Sequence, residues 1–170
     1  FVNGLPLGVI ELKAPGSVTI GNANNDLTGA VTAQGKEVTI TNKGALTAAI
    51  TAVGNASLTS GAALTLGATT VGGNFSLTSK GNLTQTAAVS VKGTTSMDAT
   101  GFDVTLNNAV NDFGSTVDAK AKDLTLTDAT KGVLLRNLAV TGNTTVTSTG
   151  GDISQGDEVG ILALSGTTTL

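Results

Sequence analysis

The chain has 170 residues with 23 Gly, 2 Pro, aromatics at 2%, no Cys, His, Trp or Tyr, and a formal net charge of -3. That length supports one domain with a core of its own, while the missing Cys and His remove disulfides, thiolate metal sites and the commonest general base together. Hydrophobic residues at 39% with charged residues at 12% exclude a chain kept expanded by its own charge, and a sequence pI of about 4.7 without aromatic platforms excludes a nucleic-acid partner.

In chain order, residues 1–15 are the least regular. Pro6 and Pro15 mark loops or edges there, so the stretch reads as an irregular first rung or an end cover. Phe1 to Gly8 has no basic leader segment, and no run is long enough to span a membrane. The chain is therefore expected to be a mature protein or a piece of something larger.

From residue 16 onward the text repeats. Gly54-Asn55-Ala56-Ser57-Leu58-Thr59-Ser60 returns as Gly73-Asn74-Phe75-Ser76-Leu77-Thr78-Ser79, then more loosely from Gly93 and from Gly114. Val38, Leu58, Leu77, Met97 and Val117 mark the apolar centre of each block, in steps of 20, 19, 20 and 20. A second strand follows each block after a Gly, Asn or Asp corner, at Leu46, at Leu64 and Leu66, at Leu83, at Val104 and Leu106, and at Leu124 and Leu126. A weaker third strand is expected at Val71, at Ala88 to Val91 and at Val110.

Three short strands and three corners in about 20 residues make one rung of a triangular β-solenoid, and the expected fold is an all-β, right-handed parallel β-helix. One rung cannot bury its own inward side chains. Rungs piled about 4.8 Å apart pair in parallel and line the interior with ladders of like residues. Alternation, as in Leu124-Thr125-Leu126-Thr127, sends Leu inward and Thr outward. Gly and Asn are expected at corners that need left-handed backbone. The period breaks after Leu126, and the return of Gly-Asn text at Gly142 places an insertion near 128–141; the alternative is that Leu138 belongs to a rung of its own.

The blocks Gly73-Asn74-Phe75-Ser76-Leu77-Thr78-Ser79, Gly81-Asn82-Leu83-Thr84-Gln85-Thr86, Asp103 to Gly114 and Asp123 to Ala129 resemble the shaft repeats of filamentous haemagglutinin-type exoproteins, over roughly residues 16–170. The resemblance implies a two-partner secretion adhesin at the surface of a Gram-negative bacterium, exported through an outer-membrane transporter. Phe1-Val2-Asn3-Gly4 is not the Asn-Pro-Asn signature of the family's secretion domain, so an export determinant is expected elsewhere or the protein is another β-helical surface protein.

Carboxylates are the candidates for a site. Asp98 and Asp118 are 20 residues apart, as are Asp103 and Asp123, so each pair is expected to stack on adjacent rungs. A calcium site or the acid pair of a carbohydrate-cleaving β-helix are the functional readings. Solvated corners relieved by Lys120 and Lys122 are the plainer one. Inverting glycosidases hold their carboxyls farther apart, and the Gly-Gly-x-Gly-x-Asp corners of calcium repeats are absent. No catalytic, cofactor or metal residue is therefore assigned. Thr39, Thr59 and Thr78, continued by Asp98 and Asp118, are expected to form an outward column; ice-binding solenoids use such arrays, and a β-branched ladder shielding the sheet explains it more simply.

The functional expectation is a non-enzymatic shaft segment that extends a binding region from the cell and meets a surface glycan or protein of a host or neighbouring bacterium. A self-assembling filament subunit, stacking end to end through unpaired strand edges, and a carbohydrate-active β-helix are the alternatives.

Overall fold

The computed structural model describes residues 9–156 and 160–170. The expected first rung or cover is in part outside that range; its described part, Val9–Lys13, is a strand paired in parallel with Ala30–Gly35. Every strand pairing among the described residues is parallel, and no helix occurs among them. The strands form an 11-stranded and a 9-stranded sheet, wound as a β-solenoid of about eight turns.

Alternation builds both sheets. In Val38–Asn42, Ala56–Ser60 and Leu124–Asp128, buried and half-buried residues alternate along the whole strand, as a period of two requires when one face meets a core. The 11-stranded sheet, hereafter the first sheet, stacks Leu46, Leu64, Leu83, Val104 and Leu124 inward. Facing them, the second sheet stacks Ile40, Leu58, Leu77, Met97, Ala119 and Leu138. All are buried and belong to one continuous cluster, so the core is a column running through the stacked rungs.

The register corrects the ladder read from the text. Val38 and Val117 lie on the neighbouring ladder, with Ala56, Phe75 and Thr95 between them. The true steps are 18 residues from Ile40 to Leu58 and 22 from Met97 to Ala119. A fixed period near 20 selects residues two places away, and a slip of two leaves every side chain on its own face, so alternation cannot reveal it.

Third strands exist where the first sheet bends. The far halves of Leu46–Ala52 and Leu64–Val71 pair with each other past an irregularity between Ala48 and Ile50, and the line continues through Val89–Val91 and Asp112–Phe113. Val110 is not on it: this residue is 67% exposed, and Phe113 takes the inward place. Asn111 is the reason, since its side chain accepts from the Val89 amide and donates to Leu106 O, closing the loop ahead of the strand.

Residues 128–141 are not an insertion. Val133–Val140 is a strand of the second sheet, paired with Thr116–Ala121, and Leu138 opposes Ala119. The Gly142 block misled because Thr144–Ser148 belongs to the first sheet, opposite Leu124–Asp128, whereas Phe75–Ser79 belongs to the second. Both corners are written in the same Gly-Asn text.

Few corner glycines serve the left-handed conformation expected of them. Among the described residues only Gly101 and Gly132 have positive φ, at 83° and 95°. The commoner need is room: a Cβ on Gly61 would collide with the carbonyl of Lys43 on the rung before. Inside one corner, Asn42, Ser60 and Ser79 stack in register; the Ser60 hydroxyl shares its one proton between Gly44 O and Ala63 O, both at 2.9 Å, and the Ser79 hydroxyl between Ala62 O at 2.9 Å and Gly81 O at 2.8 Å. Gly44 O, Ala62 O and Gly81 O, turn carbonyls outside the strand ladders, thereby find a donor, while Ala63 O also accepts from the Leu46 amide at 2.9 Å.

Candidate functional site: an outer trough on the second sheet

The carboxylates separate into three structural settings. Asp98 lies opposite Lys120, whose Nζ is 3.8 Å away, and Asp118 lies opposite Ser96, so these two do not stack. The Thr100 hydroxyl and amide donate to Asp98, and the hydroxyl above all holds its carboxyl below the usual carboxylate range. Asp103 and Asp123 do lie on adjacent rungs, just ahead of the register partners Val104 and Leu124. Lys122 Nζ sits 3.6 Å from Asp103 Oδ1 and 3.3 Å from Asp123 Oδ2. The Asn143 amide donates to Asp123 at 2.6 Å and is the main reason its carboxyl is lowered, with Lys122 adding to it. A carboxyl that serves as a general acid at neutral pH needs its pKa raised. Asp98, Asp118 and Asp123 are all shifted the other way. Among the described residues no three His, Cys, Asp or Glu side chains come close enough to hold a metal ion.

The outward Thr column is also re-sorted. Thr41, Thr59, Thr78, Asp98 and Lys120 form one column of the second sheet, and Thr39, Ser57, Ser76, Ser96 and Asp118 form the other. Thr39 and Asp118 were expected in the first of these and stand in the second, by the same two-residue slip. The longest threonine column is on the other sheet: Thr47, Thr65, Thr84, Thr105, Thr125, Thr145 and Thr169 are successive register partners.

The serine column is the floor of a trough of about 480 Å³, within the size range of ligand clefts. One wall is the corner carrying Asn55, Asn74 and Thr94. It is a ladder of side chains to backbone: Glu37 Oε2 accepts from the Asn55 amide at 2.8 Å, Asn55 Oδ1 from the Asn74 amide at 2.8 Å, and Asn74 Oδ1 from the Thr94 amide at 2.9 Å. Glu37 closes one end. Asp118 and Arg136 close the other.

That second end exists because the pairing of Thr116–Ala121 with Val133–Val140 carries a bulge. Val117 opposes Leu135 and Ala119 opposes Leu138, so Asp118 faces two residues, Arg136 and Asn137. A bulge bends its strand and re-aims a side chain. Here Asp118 Oδ1 accepts from Arg136 Nε at 3.0 Å, from the Asn137 amide at 3.0 Å and from Asn137 Nδ2 at 3.2 Å, while Oδ2 accepts from Arg136 Nη2. Burial pushes the Asp118 carboxyl up, and the donors of Arg136 and Asn137 outweigh it and hold the group below its ordinary value. Carboxylate spacing singles out Asp118 in the sequence but not its partner Arg136. Arg136 is the chain's one arginine and stands in the irregular text after Leu126, a signal available without coordinates.

No curated protein matches this chain, and no solved structure does. A family model does match, over residues 53–120 and again over 121–170, so that its first copy holds the trough floor from Ser57 to Asp118 and its second holds Arg136. Those two matches cover well over half of the chain, which therefore belongs to the family described as repeats of unknown function (DUF5649).

Proposed function

We propose that this chain is a shaft segment of a large secreted bacterial surface protein, an adhesin in the broad sense, whose rungs hold a binding region away from the cell. The observation that carries the reading is the single apolar column running through the stacked rungs. A solenoid of this kind grows by adding rungs, each contacting only its neighbours. It serves reach and rigidity without enclosing an active site. The settings of the carboxylates support a non-enzymatic role: Asp98 caps a turn, Asp118 locks a bulge, and Asp103 with Asp123 shares a lysine at a corner.

The resemblance to filamentous haemagglutinin-type shaft repeats adds a Gram-negative cell surface, export through an outer-membrane transporter, and attachment to host or neighbouring cells. Electron microscopy of the complete parent protein on cells that make it tests the shaft reading. The expected image is a thin rod lengthening by about 4.8 Å for each rung of sequence. A compact parent particle, or glycan cleavage that disappears in the Asp103→Asn/Asp123→Asn variant, would overturn it.

A further inference from the structure

The trough on the second sheet has the chemistry of a binding surface. The hydroxyls of Thr39, Ser57, Ser76 and Ser96 make no hydrogen bond within the described protein, and the Nδ2 groups of Asn55 and Asn74 donate to no protein atom there. The two Asn side chains are nonetheless fixed, because their Oδ1 atoms are held by the backbone of the following rung. Donors held in place before a ligand arrives reduce the ordering cost of binding. Along the axis the same set recurs once per rung, about every 4.8 Å, close to the advance of one hexose in an extended glycan.

We propose that this trough binds one strand of an extended, uncharged polysaccharide lying along the solenoid axis. The inference rests on the shaft reading for its setting and specifies what the side of the shaft contacts. Charge selects the ligand class. Glu37 adds a carboxylate, and Asp118 is neutralised by Arg136, so the trough as a whole is slightly negative. Sulfated, sialylated or uronic-acid chains meet repulsion there, whereas a neutral glycan presents hydroxyls that both donate and accept. A peptide strand fits less well. The neighbouring backbone groups are already engaged in rung-to-rung pairing, so an added strand finds no ladder to extend. Short serine floors and anchored amides meet a hydroxylated chain without that need.

The test uses the whole chain immobilised on a sensor, with cellohexaose, chitohexaose and mannohexaose as neutral probes and a heparin hexasaccharide as the anionic one. At least one neutral hexasaccharide is expected to bind, and its trisaccharide more weakly. Ser57→Val/Ser76→Val fills the floor with residues that favour strands and is expected to weaken that binding by about tenfold or more, the loss of at least one good contact. Thr65→Val/Thr84→Val, on the opposite sheet, is expected to leave it unchanged. Circular dichroism of both variants confirms the β fold. Absence of binding by all three neutral probes, binding by heparin alone, or equal binding by the filled variant overturns the proposal. None of these results touches the rod seen in electron microscopy, so the two readings fail separately.

Discussion

On the solvent side of the first sheet one residue type repeats from turn to turn, Thr47, Thr65, Thr84, Thr105, Thr125, Thr145 and Thr169. The corresponding column of the second sheet reads Thr39, Ser57, Ser76, Ser96, Asp118, and ends against a bulge. Threonine is β-branched and favours strands, and like threonines in register shield the sheet and bond each other, as Thr65 and Thr84 do at 3.3 Å. Serine gives up that advantage on three successive rungs and leaves a depression. The uniform face is accounted for by stability; the broken face is not, and its departures converge on one trough.

The largest expected effect is at the bulge that closes the trough. Asp118 is only 16% exposed at its side chain and accepts two hydrogen bonds from Arg136 and two from Asn137. Surface ion pairs contribute little in general, but a half-buried bidentate pair that also anchors a backbone amide is of the stronger kind. Asp118→Ala is expected to cost about 1.5–3 kcal/mol, the range for hydrogen bonds to a charged group, measured by urea denaturation at pH 7. Because the folded carboxyl is held below its unfolded value, its contribution is complete above the unfolded value, 3.8, and declines as pH falls through the lower folded value. The gap between wild type and variant should therefore narrow below that pH. A constant gap would mean that the loss comes from packing.

Beneath both faces the interior is alike, and each sheet has one flaw of the same type. Thr95 stands in the inward ladder between Phe75 and Val117, and Thr144 follows Leu124 in the ladder of the first sheet. Both hydroxyls are buried without a hydrogen-bond partner. Valine has the same shape without the hydroxyl, and an unsatisfied buried polar group costs about 1–3 kcal/mol. Thr95→Val and Thr144→Val are each expected to stabilise the protein by about 1 kcal/mol, seen as a raised midpoint at unchanged m-value. If only Thr144→Val does so, the Thr95 hydroxyl has a role under the trough that the Thr144 hydroxyl lacks.

What could be read without coordinates follows the same division. The stack, the parallel pairing and most inward positions were legible because alternation and a period near 20 impose them, Val110 being the exception that Phe113 replaces. Which rung step was 18 and which 22 was not, since a two-residue slip preserves every face. Strand identity after Leu126 was not legible either, because both corners need the small residue and the carboxamide that Gly142-Asn143 supplies. The trough depended on both lost quantities. Its floor requires the true register of Ser57, Ser76, Ser96 and Asp118, and its end requires Val133–Val140 to be a strand. Individual irregularities were visible: one arginine, a threonine column continued by aspartates, and serine alternating with apolar residues. Their convergence needed the fold.

Exchanging the two faces separates stability from recognition with the smallest energies of all. Ser76→Thr restores the β-branched residue at the middle of the trough, and Thr105→Ser removes one from the uniform column. β propensity spans only about 1 kcal/mol, so the first is expected to stabilise the protein by a few tenths and the second to destabilise it by a similar amount. The binding experiment sharpens the contrast, because the added methyl of Ser76→Thr occupies the floor while the hydroxyl stays. If the serines are there for a ligand, the more stable variant binds neutral hexasaccharide less well, and Thr105→Ser binds as wild type does. A Ser76→Thr protein that is both more stable and equally good at binding would show that the serine column is ordinary surface variation, and would return the second sheet to the same structural account as the first.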